Sequence, residues 1–362
     1  MLKLQPIPIK YLMVQSKVSH PLTYYQALPK VELHRHLEGS VRVETLAEIG
    51  QDHGIHNTGP LVLGPMVQIG DDEPHTFENF LSKFAPLRLF YRSPEVIGRI
   101  TREAIEDAAR DNIRYLELRF SPVALSKAER FPLAQVIDWV IEGARLGEET
   151  YGVTTRLIAS VNRHESTDLA EQVAWLAMDR KRKGIIGLDL AGNEAEYPAR
   201  PFVGIFHEAQ QEGLQITIHA GEWGGADNVV EAIEVFGAKR IGHGVRVMED
   251  EAAITLARTT GTIFEVCLTS NYQSGVVPQR KRHPIVPMLD AGLNITLNTD
   301  DPSISKITLS EEYRQACEAQ GLSLASLRER IIATAQATFL PEGEKKKLIA
   351  HLNQELLPGK GR

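Results

Sequence analysis

Along this chain, short runs of alternating or continuous apolar residues take turns with stretches whose apolar positions recur every three or four residues. The first kind reads as strand and the second as amphipathic helix. Strand-like runs fall at Lys30–His36, Tyr115–Phe120, Thr154–Ser160, Gly184–Gly192, Gln215–Glu222, Arg240–Gly244, Thr262–Ser270 and Asn294–Asp301. Between them, Pro94–Asn112 carries Val96, Ile97, Ile100, Ala104, Ile105 and Ala108 on one face, and Val136, Ile137, Val140, Ile141 and Ala144 form another such face before Gly147. Asp168 with Glu171 predicts the cap of a helix bearing Leu169, Val173 and Leu176. Further helices are expected over Val43–Ile49, Gly204–Gly213, Val229–Phe236, Glu251–Arg258 and His283–Ala291.

Eight strands alternating with helices predict a parallel sheet, and eight units in this length favour closure into an α/β (β/α)8 TIM barrel. No Gly-x-Gly-x-x-Gly turn follows the first strand, which counts against a dinucleotide fold. Extra helices are expected in the first β–α loop and at the C-terminus. In the first, Phe77, Phe80, Leu81, Phe84 and Leu87 recur at helical spacing after a Gly- and Pro-rich loop, so residues 61–84 are a candidate lid. In the second, Thr308 and Glu311 fit a capping box, and Leu324–Phe339 runs on to Pro341. One barrel domain is expected over residues 26–356, with 1–25 as an irregular leader and 357–362 as a tail.

Composition narrows the partners. A net charge of −7 without long basic runs gives no reason to expect a nucleic-acid partner. No stretch approaches the roughly 18 apolar residues that a membrane span needs, and the first twenty residues lack the form of a signal peptide. Two cysteines, Cys267 and Cys317, are too few for a disulfide framework and suit a reducing cytoplasm. Nothing here fixes an oligomeric state.

The chemistry gathers at the strand ends. In the first strand, His34 and His36 share a face, about 6.6 Å apart at 3.3 Å rise per residue, and can reach one ion. His219 and Glu222 end the fifth strand, His243 the sixth, and Asp300 and Asp301 the eighth. In a barrel, these ends meet on one rim. Three histidines and a carboxylate suit a zinc ion with a position left for water, so His34, His36, His219 and Asp300 are the expected ligands of one Zn2+ per chain. The fourth strand has no lysine to form a bridging carbamate, which argues for one metal rather than two. A metal with an open position brings the pKa of a water toward neutrality. Glu222 is placed to pass a proton, His243 to orient or deprotonate the water, and Asp301 to touch the substrate.

The motifs His34-Arg35-His36-Leu37-Glu38-Gly39-Ser40, Tyr115 to Pro122, Leu188-Asp189-Leu190-Ala191-Gly192, His219-Ala220-Gly221-Glu222, Arg240 to Gly244, Cys267 to Asn271 and Leu297 to Pro302 occur in this order. Together they resemble the adenosine deaminase family of the amidohydrolase superfamily, over about residues 29–345. The resemblance implies zinc-dependent hydrolytic deamination of adenosine, or a closely related adenine nucleoside, at C6 to give inosine and ammonia. Glu222 would then protonate ring N1, and His243 would take a proton from the activated water and steady the hydroxide. His36, Glu38, Gly192 and Asp301 would contact the substrate, with Asp301 at N7 and the Gly192 N–H at N3. A purine nucleoside and water are the implied small-molecule partners.

Two positions depart from the family pattern. Glu38 stands where adenosine deaminases usually carry an Asp that contacts the ribose 5′ hydroxyl, and Asn193 stands where Asp is usual. The longer Glu38 would crowd or re-aim that contact, which keeps an adenine deaminase and a deaminase of 5′-modified, aminodeoxyfutalosine-type adenosines as alternatives. A barrel that binds nucleoside without turning it over would have no use for Glu222 and His243.

Overall fold

The structure is a computed structural model that describes residues 19–357. Eight parallel strands, β1 (Lys30–His36), β2 (Ile113–Phe120), β3 (Thr154–Asn162), β4 (Ile185–Ala191), β5 (Gln215–Ala220), β6 (Arg240–His243), β7 (Ile263–Val266) and β8 (Asn294–Leu297), pair in sequence order. The ring closes beyond β8, where the His36 N–H donates to the Asp300 carbonyl at 2.8 Å and the Asp300 N–H to the His34 carbonyl at 2.9 Å. The expected (β/α)8 barrel is the fold.

Local chemistry sets the helices. Pro94–Arg110 begins where Ser93 accepts the Val96 N–H and Pro94 occupies the first turn. It packs against Leu133–Tyr151 at Gly143, where a Cβ would lie 2.8 Å from the Thr101 Cβ. The predicted capping box at Thr308 and Glu311 is present.

Several boundaries differ from expectation, each for a local reason. The helix expected to be capped by Asp168 starts two residues earlier, because Ser166 accepts the Leu169 N–H. The Gly- and Pro-rich stretch after Gly54 contains a helix, Pro60–Val67, opened by Pro60. The run Thr262–Ser270 is strand only to Val266. Glu312 then accepts the Leu268 and Thr269 N–H groups at 2.8 and 3.2 Å, which starts the helix Leu268–Gln273 instead. At the N-terminal side, Leu22–Ala27 is helical with Tyr25 buried, and residues 1–18 and 358–362 lie outside the described residues.

The barrel interior is ionic. On β2, Leu116, Leu118 and Phe120 alternate with Tyr115, Glu117 and Arg119, and the second set reaches across the barrel. Arg240 pairs with Glu117 and Glu265, both at 2.6 Å, and Arg119 pairs with Glu265 at 2.8 Å. The end of the barrel opposite the C-terminal strand ends is stoppered by the segment after the helix Leu324–Ala337. Phe339 stacks under the Arg240 guanidinium at 3.5 Å and donates its N–H to Glu117 at 2.8 Å, while the Ala337 carbonyl accepts from Arg240 at 3.1 Å. Buried charges of this kind are tolerable only when each has opposite charge and hydrogen bonds around it.

Candidate active site

The C-terminal ends of β1, β5 and β8 bring His34, His36, His219 and Asp300 together. One ligand atom from each lies within 4.8 Å of the others. Asp300 Oδ1 stands 3.2 Å from His34 Nε2 and 3.3 Å from His36 Nε2, and His36 Nε2 is 3.4 Å from His219 Nε2. Asp300 and His243 both adopt left-handed backbone, with φ of 70° and 61°. Such conformations cost about 1–3 kcal/mol each in non-glycine residues and collect at functional sites.

These residues fit a cation. His34 Nδ1 donates to Glu265 at 2.8 Å and His219 Nδ1 to Asp189 at 3.0 Å, which leaves the Nε2 lone pair of each ring facing inward. His34 Nε2 is buried without a hydrogen-bond partner among the described residues. Burial and Arg119 push the His34 imidazole down, but the carboxylates of Asp300, 3.2 Å from Nε2, and of Glu265, bonded to Nδ1, outweigh them and raise it. The centre therefore attracts positive charge. Against the cost of burial, His243, His34 and His36 hold the Asp300 carboxyl well below its usual range, and Ser270 donates to its other oxygen at 2.6 Å.

The Glu222 carboxyl is driven well above the usual range, by burial first and then by Asp300 and Glu194. It is a buried acid that keeps its proton, 3.6 Å from His243 Nε2. Glu194 fixes the loop that carries it, accepting the Gly221 and Glu222 N–H groups at 3.1 and 2.6 Å.

His243 is pushed well below its ordinary value, chiefly by burial, and so is neutral. A relay decides where its proton sits. The Ile285 N–H donates to His283 Nδ1 at 3.1 Å, so neutral His283 must donate from Nε2 to Asn271 Oδ1, also at 3.1 Å. Asn271 then turns its amide N–H to His243 Nδ1 at 3.0 Å. The His243 proton is left on Nε2, facing Asp300 and Glu222. Of the two roles expected for His243, this favours orienting an oxygen over deprotonating it.

A cavity of about 380 Å³ opens on this cluster. The expected substrate contacts His36, Glu38, Gly192 and Asp301 all line it, as do Phe80, Leu81 and Phe84 of the segment expected as a lid. That segment rests on Trp223, 5.6 Å from Phe77, and on Tyr272, 4.3 Å from His75. Burial, Asp300 and Glu38 raise the Asp301 carboxyl, making it a donor, and its Oδ1 has no partner among the described residues. Gly39 makes room for it, since a Cβ there would lie 1.8 Å from Asp301 Oδ1. Glu38 accepts the Ser121 N–H at 2.6 Å, and burial lifts its pKa to about 7. Asn193, the other departure from the family pattern, accepts the Ala195 N–H at 3.0 Å in a turn.

Sequence reasoning assigned no role to Asp189, Glu265, Arg119, Glu194, Asn271 or His283. Asp189 and Glu265 left a signal, as the lone charges of otherwise apolar strands, and Arg119 left one as a charge alternating with Leu116, Leu118 and Phe120. His283 left none.

Comparison with known proteins agrees with this geometry. Residues 29–355 match the family described as adenosine deaminase. The adenosine deaminase of Salmonella newport is 38% identical over 325 residues, covering 89% of this chain and 96% of that protein. Among solved structures, an amidohydrolase from Burkholderia ambifaria with bound zinc superposes with a TM-score of 0.85 at 26% identity, covering 95% of this chain and 94% of the other. Adenine deaminase from Arthrobacter aurescens gives a TM-score of 0.83, also at 26% identity, covering 90% and 98%. With a family match across nearly the whole chain and the same fold in these relatives, this protein is a member of the adenosine deaminase family of enzymes.

Proposed function

We propose that this enzyme hydrolyses adenosine, or a closely related adenine nucleoside, to inosine and ammonia, with one zinc ion held by His34, His36, His219 and Asp300. The observation that carries the reading is the meeting of four ligand-type atoms with a protonated Glu222 and a neutral His243 in one cavity. Zinc bound there supplies acidity to a water molecule at neutral pH. Its identity is supported by the three-imidazole, one-carboxylate donor set and by the zinc in the Burkholderia relative.

The chain's own groups supply the rest. Glu222 hands its proton to ring N1, making C6 electrophilic. His243 donates its Nε2 proton in a hydrogen bond to the incoming oxygen. Glu222, now a carboxylate, accepts one proton of the water and passes it to the departing amine, and the water's second proton, lost as C6 becomes a carbonyl, returns Glu222 to its acid form. Water is consumed, ammonia leaves, and C6 becomes a carbonyl. Asp301, kept protonated, donates to N7, and the Gly192 N–H meets N3. The free cysteines, with Cys267 buried, support a reducing cytoplasm.

Glu38, drawn to the Ser121 N–H, favours keeping a second reading in which free adenine or a 5′-modified adenosine is preferred. A substrate panel decides, with ammonia release measured on protein of known metal content. Turnover of adenosine with about one zinc per chain is expected, whereas metal-loaded protein inert toward every adenine compound would end the proposal.

A further inference from the structure

Beside the ligand-type cluster, the same cavity is also lined by Phe84, Arg88, Ser121 and His164. Arg88 opens the turn Arg88–Phe90 and is half-buried. Its charge is permanent. Yet its guanidinium makes no hydrogen bond or ion pair with any described residue, and the residue lines the cavity. Arg92, one turn on, is paired with Glu129 at 3.0 Å.

The acids nearby are engaged or distant. Glu38 accepts the Ser121 N–H, and Glu165 accepts the backbone and side-chain N–H groups of Asn162 at 3.2 and 2.9 Å. Glu196 is exposed at the mouth and makes no pair with Arg88. A second cation, Lys127, acts on His164 together with Arg88. Arg88 acts through its charge on the Glu38 carboxyl but makes no ion pair with it, so this part of the cavity offers a guanidinium fork to which no protein carboxylate is bonded.

Glu222, His243 and Arg88 line one cavity, so a ligand whose amine-bearing carbon reaches the first two can extend toward the third. We propose that Arg88 anchors a carboxylate or phosphate carried on the sugar end of the purine nucleoside, so that the preferred substrate is anionic. The inference rests on the deaminase reading above and specifies the substrate class of the same site. Arginine suits the task because its planar fork meets either anion with two parallel hydrogen bonds.

The test compares kcat/KM for adenosine, adenosine 5′-monophosphate and adenosine 5′-carboxylate, in wild type, Arg88→Gln and Arg88→Lys. Wild type is expected to prefer one of the anionic compounds to adenosine, and the preferred arm identifies phosphate or carboxylate. In Arg88→Gln the anionic-to-neutral ratio should fall roughly 10- to 100-fold, the worth of a charge-assisted hydrogen bond. Arg88→Lys, which keeps the charge but loses the fork, should fall between. Because the ratio is taken on one protein sample, partial loss of folded enzyme cancels. A wild type that prefers adenosine to both anions, or a ratio unmoved in Arg88→Gln, overturns the anionic subsite and leaves the deaminase reading standing. If none of the three compounds releases ammonia from the zinc-loaded enzyme, both fall.

Discussion

Glu222 shows how a single buried acid trades stability for chemistry. Its folded pKa lies above the ordinary 4.5, so its contribution to stability is complete below that value and is lost as pH rises through the raised one. Glu222→Gln cannot ionise. Thermal unfolding should therefore find the variant more stable than wild type, with a gap that widens as pH rises, while zinc content is unchanged. Turnover should fall roughly 10²- to 10⁴-fold, the usual worth of a general acid. Asp301 invites a complementary test through Gly39. Gly39→Ala would drive a methyl group into the space its carboxyl occupies, and KM for the purine should rise about tenfold, the worth of one hydrogen bond to a ring nitrogen.

Between neighbouring elements, one guanidinium serves two histidines. Arg119 on β2 holds Glu265 at 2.8 Å and approaches Asp189 at 3.5 Å, and these two carboxylates orient His34 and His219. Arg119→Met should lower zinc affinity by roughly 10- to 100-fold in a chelator competition, a readout independent of turnover. The relay behind His243 offers a sharper test. Asn271→Asp replaces the amide donor with an acceptor, draws the imidazole proton to Nδ1 and removes the donor aimed at the site. A kcat loss of at least about 10²-fold is expected with zinc content unchanged, and an unaltered kcat would sink the tautomer assignment.

At the scale of the whole molecule, the sequence carried the strand order and the four residues whose ligand-type atoms meet on the rim, because both are written in local pattern. Strict alternation in Tyr115–Phe120 marks a strand, and His-x-His marks one face. What it did not carry is partnership across the barrel. Nothing near Arg119 names Glu265, 146 positions away, and nothing near Asn271 says that His283 will fix its orientation. The pattern at Leu268 predicts strand because the carboxylate that starts its helix, Glu312, comes more than forty residues later. The covering segment acts at this scale too. Trp223→Ala removes its support from Phe77 and should raise KM several-fold with a smaller change in kcat, as expected when a cover fits less closely over bound substrate.

The stopper at the far end of the barrel has a consequence for how the protein is born. Of the four residues that could hold a metal, two lie on the first strand and one follows the last, and Phe339 covers Arg240 at the foot of the salt-bridge column beneath them. During synthesis, the early strands must wait on the ribosome with their charges wet. The nascent chain can gain tight metal affinity only once residues up to about 340 have emerged. Zinc loading should therefore be a late event in translation.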